Sequence, residues 1–360
     1  MRDRNGRSHR AKGTPDGGRY DGERRGGDGG DLEPPDGAGA WPPGGGFDPF
    51  DEEEAELARM GAEQERVLAD ACAARRPLTD FERERRREYI RRVVDATRGH
   101  DTRDTLTAGT GRYPEWRRRI HREIIDAAFA RADRVGLHRR ALMSGGLGGS
   151  GKSSTLASPG FRERFPGFRP DEWLTLNNDD VKEELAKRGC VPHVRGLTPM
   201  ECCFLVHEEA SDILRAIRRR ALDEGMDVIV DGTMNDAGST ERKIRELRDA
   251  GYAVDAMFVD ISPDTSKRRA DGRYRDGMTE YTTSGGTQGS GGRYLPDDVV
   301  DGQRPADPAH RSRNAETLIA LESKGLFDNT PIIYDNDIDG RRPRPVPYAE
   351  FSAGPRPASR

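Results

Sequence analysis

The sequence predicts an α/β fold in which a parallel β-sheet carries helices on both faces. Three observations lead to this fold class. A short apolar run from Ala141 to Met143 leads into a glycine-rich turn and then into residues able to open a helix. Further strand-like runs follow, each separated from the next by a helical pattern. A helical region dense in charged residues precedes this alternation.

The glycine-rich turn matches the phosphate-binding P-loop pattern, with Gly146-x-x-x-x-Gly151-Lys152-Ser153 between a strand and a helix. Backbone N–H groups of such a loop turn towards a polyphosphate, and the helix N-terminus adds partial positive charge. Lys152 is expected to reach the β- and γ-phosphates, and the Ser153 hydroxyl to bind Mg²⁺. The predicted nucleotide-binding residues are Gly146, Gly148, Gly149, Ser150, Gly151, Lys152, Ser153 and Ser154. The alternative is a glycine-rich turn that matches by chance, but the strand ahead favours a fold of the P-loop NTPase or kinase type.

Composition and charge exclude several classes of protein. Hydrophobic residues make up only 33% of the chain and charged residues 34%, so a sizeable part is expected to lie outside a packed core. The 60 Lys and Arg nearly balance the 64 Asp and Glu, which argues against nucleic acid as a partner. The four cysteines lack metal-ligand spacing, and neither a secretory signal nor a membrane-spanning run is recognisable. We therefore expect a cytoplasmic protein without a membrane segment.

Four regions follow from the pattern along the chain. Residues 1–50 contain little but Gly, Pro, Asp and Arg and are expected to form a disordered tail. Residues 51–135 carry apolar positions at helical spacing among dense charges, which predicts exposed or edge helices that could also dock as an inhibitory cap. Residues 136–338 are predicted to form the P-loop domain. Residues 339–360, rich in Pro and Arg, are predicted to be a second disordered tail.

Within the P-loop domain, the strand and helix patterns alternate regularly. The predicted strands after the P-loop cover residues 173–176, 227–231, 253–259 and 331–334. The predicted helices begin at 181 and cover 199–222, 239–250, 263–271 and 314–323. The glycine-rich segment 282–292 is expected to be flexible backbone. Ligands of such a sheet bind beyond the carboxyl ends of its strands.

Two carboxylates are expected at that edge. Asp179 follows the first strand after the P-loop, where a carboxylate could accept a hydroxyl proton or reach the water shell of a metal ion. Helix capping is the alternative role, and we assign it to the neighbouring Asp180. Asp231 ends the next strong strand and could hold an acceptor hydroxyl or the metal, unless it merely initiates a turn.

The arginines form the other half of the predicted site. Those that flank the glycine-rich segment are Arg268, Arg269, Arg273, Arg275 and Arg293. Guanidinium groups on a mobile lid would suit a transition state whose charge spreads over phosphate oxygens. Solvated surface positions are the better interpretation for Arg268, Arg269 and Arg275. Glu208, next to His207 and Glu209, is expected on a surface or in the substrate cleft.

The ordered set of motifs resembles the zeta toxin family. It comprises the P-loop, a strand ending in Asn-Asp-Asp180, the run Val-Asp-Gly-Thr233, Arg273-Tyr274 and Gly292-Arg293-Tyr-Leu-Pro296, spread over about residues 141–336. Members of this family are P-loop kinases of toxin–antitoxin systems, so the resemblance implies a possible antitoxin partner.

The resemblance also implies an activity, which is Mg-ATP-dependent phosphorylation of a sugar hydroxyl on UDP-N-acetylglucosamine. It assigns the general base to Asp179, acceptor binding to Asp231 and Thr233, and phosphate clamping to Arg273 and Arg293, with Lys152 on the γ-phosphate. Glu208 could supply the substrate-binding glutamate found in some members, because Arg215 aligns near the usual position.

The chain also departs from the family pattern in its acceptor half. Asp231 stands where the family often has glutamate, and Met234 lies in a stretch where an arginine commonly follows the threonine. Two alternatives therefore stay open. One is a kinase of another small molecule or of a polynucleotide, although an aromatic content of 6% offers few stacking platforms. The other is a non-catalytic regulatory protein that binds nucleotide.

Overall fold

A computed structural model of the chain describes residues 52–354 with the exception of 109 and 131. The predicted tail at residues 1–50 therefore lies outside the described residues, as do residues 355–360. Six strands form one sheet: β1 (Arg140–Gly145), β2 (Leu174–Leu176), β3 (Val228–Asp231), β4 (Ala253–Asp260), β5 (Ile332–Asp335) and β6 (Arg344–Val346). Their order is β2-β3-β1-β4-β5-β6, with all neighbouring pairs parallel except β5 and β6. The predicted α/β class with a parallel sheet is confirmed.

Helices cover both faces of this sheet. They are α1 (Glu52–Ala73), α2 (Asp80–Ala96), α3 (Thr102–Thr107), α4 (Glu115–Ala128), α5 (Lys152–Leu156), α6 (Pro159–Arg164), α7 (Asn178–Lys187), α8 (His207–Glu224), α9 (Ala237–Asp249), α10 (Pro263–Thr283), α11 (Asp297–Asp301), α12 (Arg313–Ser323) and α13 (Tyr348–Ser352). Successive strand residues point to opposite faces, so Leu142 packs with Phe161 of α6 while Met143 packs with Ile213 of α8. Both faces are thus buried, as a parallel sheet requires.

The helices ahead of β1 are part of the main core rather than exposed additions. Tyr89 and Ile90 of α2 and Ile124 of α4 are almost fully buried and belong to the same apolar cluster as residues of the sheet. Pro77 separates α1 from α2, and Thr79 and Glu82 form a capping box that starts α2. The expectation of exposed or edge helices is therefore wrong for these faces.

The C-terminal part of the chain also extends the fold further than predicted. Residues 344–346 form β6 at the edge of the sheet, and Phe351 of α13 packs against Phe258 of β4 with ring centroids 5.6 Å apart. The predicted tail at 339–360 is therefore incorrect for residues 344–352. A segment rich in proline and arginine is typical of a disordered tail. An edge strand nevertheless tolerates Pro345, because one side of its backbone needs no hydrogen-bond partner.

Two helix boundaries near the site differ from expectation. The helix predicted from Pro199 begins only at His207, after a 3₁₀ turn at Cys203–Val206. Helix α10 continues to Thr283 instead of ending near 271, so it carries Arg273 and Tyr274.

The end of the glycine-rich segment, predicted to be flexible, is held by specific contacts. The backbone N–H of Met200 donates to the Ser290 carbonyl at 2.9 Å. A Cβ added at Gly291 would lie 2.1 Å from Thr198 Oγ1, and one at Gly292 would lie 2.2 Å from the Tyr274 carbonyl. The segment uses glycine here because neighbouring atoms leave no room for a side chain.

Candidate functional site: a P-loop beside paired acids and arginines

The P-loop between β1 and α5 is fixed by side chains that bind its carbonyl groups. Ser266 Oγ of α10 donates to the Gly148 carbonyl at 2.6 Å, and Asn336 Nδ2 donates to the Ser150 carbonyl at 2.8 Å. Arg269 donates to the Gly149 carbonyl at 3.3 Å. These three hydrogen bonds hold the loop carbonyls on the side of α10 and the segment after β5.

The N–H groups of the loop remain available to a ligand. In the part of the chain that the structure describes, the N–H groups of Gly148, Gly149 and Gly151 donate no hydrogen bond. Gly151, with φ +86°, leads into α5, whose first N–H groups have no partner within the helix. This arrangement is the one that cradles phosphate oxygens at a helix N-terminus.

Lys152 begins α5 and folds back over the loop, its Nζ 3.2 Å from the Gly146 carbonyl. Burial lowers the pKa of Lys152 from its ordinary value, while the negative charge of Asp231 acts in the opposite direction. A phosphate in the loop would give this ammonium a stronger partner than one carbonyl. The hydroxyl-bearing Ser153 and Ser154 follow it and are exposed.

Asp231 lies beside the P-loop because β3 neighbours β1, with Asp231 in register with Ser144. Asn177, which follows β2, donates from Nδ2 to Asp231 Oδ2 at 3.0 Å. The other carboxylate oxygen, Oδ1, is buried without a hydrogen-bond partner among the described residues. Burial raises the pKa of Asp231, with Lys152 opposing that shift.

Asp179 lies in the first turn of α7 and forms an ion pair with Arg293. Lys182 adds a second positive charge, its Nζ 3.9 Å from Asp179 Oδ1. Burial alone would raise the pKa of Asp179, but the hydrogen bond and charge of Arg293 outweigh burial and leave it below its ordinary value. Asp179 is therefore ionised at neutral pH, as a proton acceptor must be.

The cap of α7 differs from the prediction, which assigned it to Asp180. Asn177 is the N-cap, and its Oδ1 accepts from the Asp179 N–H at 2.8 Å. The amide group of Asn177 thus touches Asp231 with one end and positions Asp179 with the other. Both acids are linked through one side chain that the sequence interpretation did not single out.

Arg273 and Arg293 approach the same region from different segments. Arg273 extends from α10, and the nearest guanidinium atom is 3.9 Å from where a Cβ on Gly148 would lie. Burial and then the positive charge of Arg293 lower the pKa of Arg273. The positive charges of Arg273 and Arg293 repel each other at the opening of the P-loop. A polyanion bound there would relieve this repulsion.

Two further residues predicted to bind the acceptor contact other segments of the chain. Thr233 follows β3, and its carbonyl accepts from Asn314 Nδ2 at 2.6 Å and from the Gly146 N–H at 3.4 Å. Glu208 at the start of α8 is paired with Arg103 of α3 at 2.6 Å, which ties it to the N-terminal helices. His207 begins α8 and is exposed.

Residues that sequence reasoning missed mostly support the loop. Arg269, interpreted as a surface residue, contacts the P-loop and also donates to the Asn336 carbonyl at 2.8 Å. Ser266 lies outside any motif in the sequence, whereas Asn336 follows a predicted strand at its carboxyl end, where ligand-binding residues collect. Arg268 is exposed and paired with Asp339, as expected of a surface arginine.

The residues at the loop fit a magnesium ion in the way P-loop sites do. The described residues hold no group of three His, Cys, Asp or Glu side chains arranged for a metal. Mg²⁺ bound to nucleotide needs few protein ligands, because phosphate oxygens and water supply the rest. The hydroxyl of Ser153 and the unpartnered Oδ1 of Asp231 are oxygen donors of the required kind.

The chain is similar to a structure from the PezAT chromosomal toxin-antitoxin system of Streptococcus pneumoniae, with 13% identity, 62% of this chain and 79% of that chain covered, and a TM-score of 0.42. It is also similar to AvrRxo1-ORF1:AvrRxo1-ORF2 structures with sulphate ions (16%, 68% and 70%, 0.47) and with ATP (14%, 66% and 69%, 0.45). No curated protein matches the chain.

Within the described residues, every helix is too short or too polar to cross a bilayer. A family model described as Zeta toxin matches residues 118–337, which is more than half of the chain. The match contains the P-loop, both acids and both arginines. The chain belongs to the zeta toxin family.

Proposed function

We propose that this protein is an ATP-dependent phosphotransferase that transfers the γ-phosphate to a hydroxyl of a sugar nucleotide, with UDP-N-acetylglucosamine as the acceptor. The observation that carries the proposal is the convergence of four groups on the P-loop mouth. Lys152 lies over the loop, Arg273 reaches within 3.9 Å of where a Cβ on Gly148 would lie, and Arg293 forms an ion pair with Asp179. Phosphoryl transfer needs such a set, because its transition state spreads negative charge over phosphate oxygens beside an acceptor hydroxyl.

Each residue of the site has a role that follows from its position. The P-loop N–H groups and Lys152 hold the β- and γ-phosphates, and Arg273 and Arg293 stabilise charge on the moving phosphoryl group. Ser153 would hold Mg²⁺, which would neutralise phosphate charge. Binding of the γ-phosphate draws Arg293 away from Asp179, which frees that carboxylate for the acceptor.

One bond forms and one bond breaks during the transfer. The acceptor oxygen attacks the γ-phosphorus, and the bond from that phosphorus to the bridging oxygen of ADP breaks. Asp179 takes the hydroxyl proton, and ADP leaves with the bonding electron pair. Asp231, held by Asn177, would orient the acceptor hydroxyl or bind the metal.

The family supports a toxin whose action an antitoxin would restrain. The neighbour from Streptococcus pneumoniae is described as part of a toxin-antitoxin system. We extend this role to the present chain as part of the proposal.

Incubation of the protein with Mg-ATP and UDP-N-acetylglucosamine, followed by mass spectrometry, tests the acceptor directly. We expect a product heavier by one phosphoryl group, lost in Lys152→Ala and reduced about 10²- to 10⁴-fold in Asp179→Asn, the range for loss of a general base. Asp180→Asn is the matched control, since Asp180 is exposed in the same helical turn and should keep full activity.

Each other outcome points to one of the alternatives. Binding of Mg-ATP without any modified sugar nucleotide would refute this acceptor and favour another hydroxyl compound. Hydrolysis of ATP that is unchanged by Asp179→Asn and needs no acceptor would favour a regulatory nucleotide-binding protein.

A further inference from the structure

One buried glutamate connects the N-terminal helices to the arginines of the site. Glu201 is 2% exposed and lies in the segment between α7 and α8. Arg86 of α2 binds its carboxylate with two guanidinium nitrogens, the second at 2.6 Å, and both side chains of the pair are fully buried. Thr198 donates to the same carboxylate from its N–H and its hydroxyl, each at 2.8 Å.

The fifth hydrogen bond to Glu201 comes from helix α10. The hydroxyl of Tyr274 donates to Glu201 Oε1 at 2.8 Å, and Tyr274 is the residue directly after Arg273. Because Tyr274 is 1% exposed and held at both its ring and its hydroxyl, the α10 backbone at Arg273 has little freedom to move. The direction in which Arg273 leaves the helix is set at this point.

The same network holds the backbone just before Arg293. Gly291 lies against Thr198, and Gly292 lies against the Tyr274 carbonyl, so closely that neither position could accept a Cβ. The Gly292 N–H also approaches Met278 Sδ of α10 at 3.2 Å. Thr198 and Tyr274, both bound to Glu201, therefore form the surface on which the chain enters Arg293.

We infer that Arg86, Glu201 and Tyr274 are positioning residues that hold Arg273 and Arg293 at the γ-phosphate, so α2 completes the kinase rather than inhibiting it. The inference rests on the proposed function, since it assigns the two arginines to the γ-phosphate. The Arg86 charge in α2 thereby affects phosphate binding at the P-loop, although Arg86 itself does not touch that loop.

A contribution to fold stability does not by itself explain the buried Arg86–Glu201 ion pair. A buried ion pair contributes little net stability, because desolvation of both charges offsets their attraction. The protein offers a comparison in Arg117 of α4, which binds Glu209 of α8 in the same bidentate way at 2.6 and 2.9 Å. That pair is equally buried, but its other partners are Thr102, His121 and the Cys190 carbonyl, none of which adjoins Arg273 or Arg293.

The test compares the affinities for Mg-ATP and Mg-ADP, measured by titration calorimetry on the full chain. Their ratio reports contacts to the γ-phosphate, whereas general loosening of the fold weakens both nucleotides alike. Arg273→Ala measures how far the ratio falls when one arginine is lost. We expect Tyr274→Phe and Arg86→Lys each to lower the ratio about three- to tenfold, the size of the net contribution of one ordinary hydrogen bond.

Arg117→Lys is the control, and it should leave the ratio at the wild-type value even if it lowers thermal stability as much as Arg86→Lys. Wild-type ratios in Tyr274→Phe and Arg86→Lys, with a reduced ratio in Arg273→Ala, would overturn the positioning role while the kinase proposal stands. An unchanged affinity ratio in Arg273→Ala would also overturn the positioning role, because Arg273 would then make no contact with the γ-phosphate that the other residues could position. Failure of wild-type protein to bind Mg-ATP would reject the proposed function itself.

Discussion

Gly146 at the start of the P-loop is a position where the cost of one methyl group can be worked out from the structure. Its φ is +126°, a conformation that residues with a side chain rarely adopt. A Cβ there would lie 2.4 Å from the Val259 carbonyl oxygen and 3.0 Å from Ser150 Oγ. The Val259 carbonyl cannot retreat freely, since Val259 is paired with Tyr334 of β5 within the sheet.

Two terms add up for Gly146→Ala. The left-handed conformation costs about 1–2 kcal/mol for a residue with a Cβ. Overpacking against a fixed backbone costs roughly a further 1–3 kcal/mol. Gly167 separates the two terms, because its φ is +80° but a Cβ there would meet nothing within 4 Å. Gly167→Ala should therefore lose only the first.

Urea unfolding of both variants and calorimetric titration with Mg-ATP test this reasoning. We expect Gly146→Ala to be less stable than Gly167→Ala by about 1–3 kcal/mol and to lose ATP binding, because relief of the clash displaces the loop. Gly167→Ala should bind ATP like the wild type. Equal stabilities, together with wild-type ATP affinity in Gly146→Ala, would refute the argument that β4 fixes the loop.

Three further predictions concern pH, metal and packing. Burial raises the pKa of Asp260 to about 7 from 3.8, so the folded state binds a proton more tightly and loses this stability as the pH rises from about 4 to 7. In urea unfolding, Asp260→Asn should thus gain stability relative to wild type as the pH rises from 5 to 8. A stability difference between the two proteins that stays constant over this range would contradict the raised pKa of Asp260. Ser153→Ala should raise the Mg²⁺ concentration for half-maximal transfer about tenfold or more, measured by metal titration of the activity. Phe161→Ala should lower the free energy of unfolding by about 3–5 kcal/mol, since Phe161 is fully buried among three aromatic rings; a loss below 1 kcal/mol in the same assay would contradict that packing.

The sheet and the P-loop could be predicted because their signals are local. Each central strand is a continuous apolar run, and the loop motif combines glycines, lysine and serine at fixed spacing. The placement of Asp179 and Asp231 followed from one topological rule, that the carboxyl ends of parallel strands share an edge. The role of Asn177 could not be predicted, because its two hydrogen bonds join Asp231 at the end of β3 to Asp179 of α7, which come together only in the folded chain.

The N-terminal helices were misjudged for a different reason. Arg86 and Arg117 lie among many arginines of similar spacing, and burial of an arginine depends on a carboxylate partner. Those partners are 115 residues away for Arg86 and 92 residues away for Arg117. No periodicity within a helix carries that information. The end of the glycine-rich segment was misjudged likewise, since its contacts come from Thr198 and Tyr274.

The distance in sequence between Arg86 and Glu201 also has a consequence for the newly made chain on the ribosome. At 5–20 residues per second, the 115 residues between them take on the order of 10 s to synthesise. During that interval α2 has been synthesised, but Glu201, the partner of the Arg86 guanidinium, has not. The apolar face of α2 therefore stays exposed to water or to chaperones. Tyr274 follows a further 73 residues later. The arginines at the P-loop can therefore be brought into place only late in translation, long after the P-loop itself has been made.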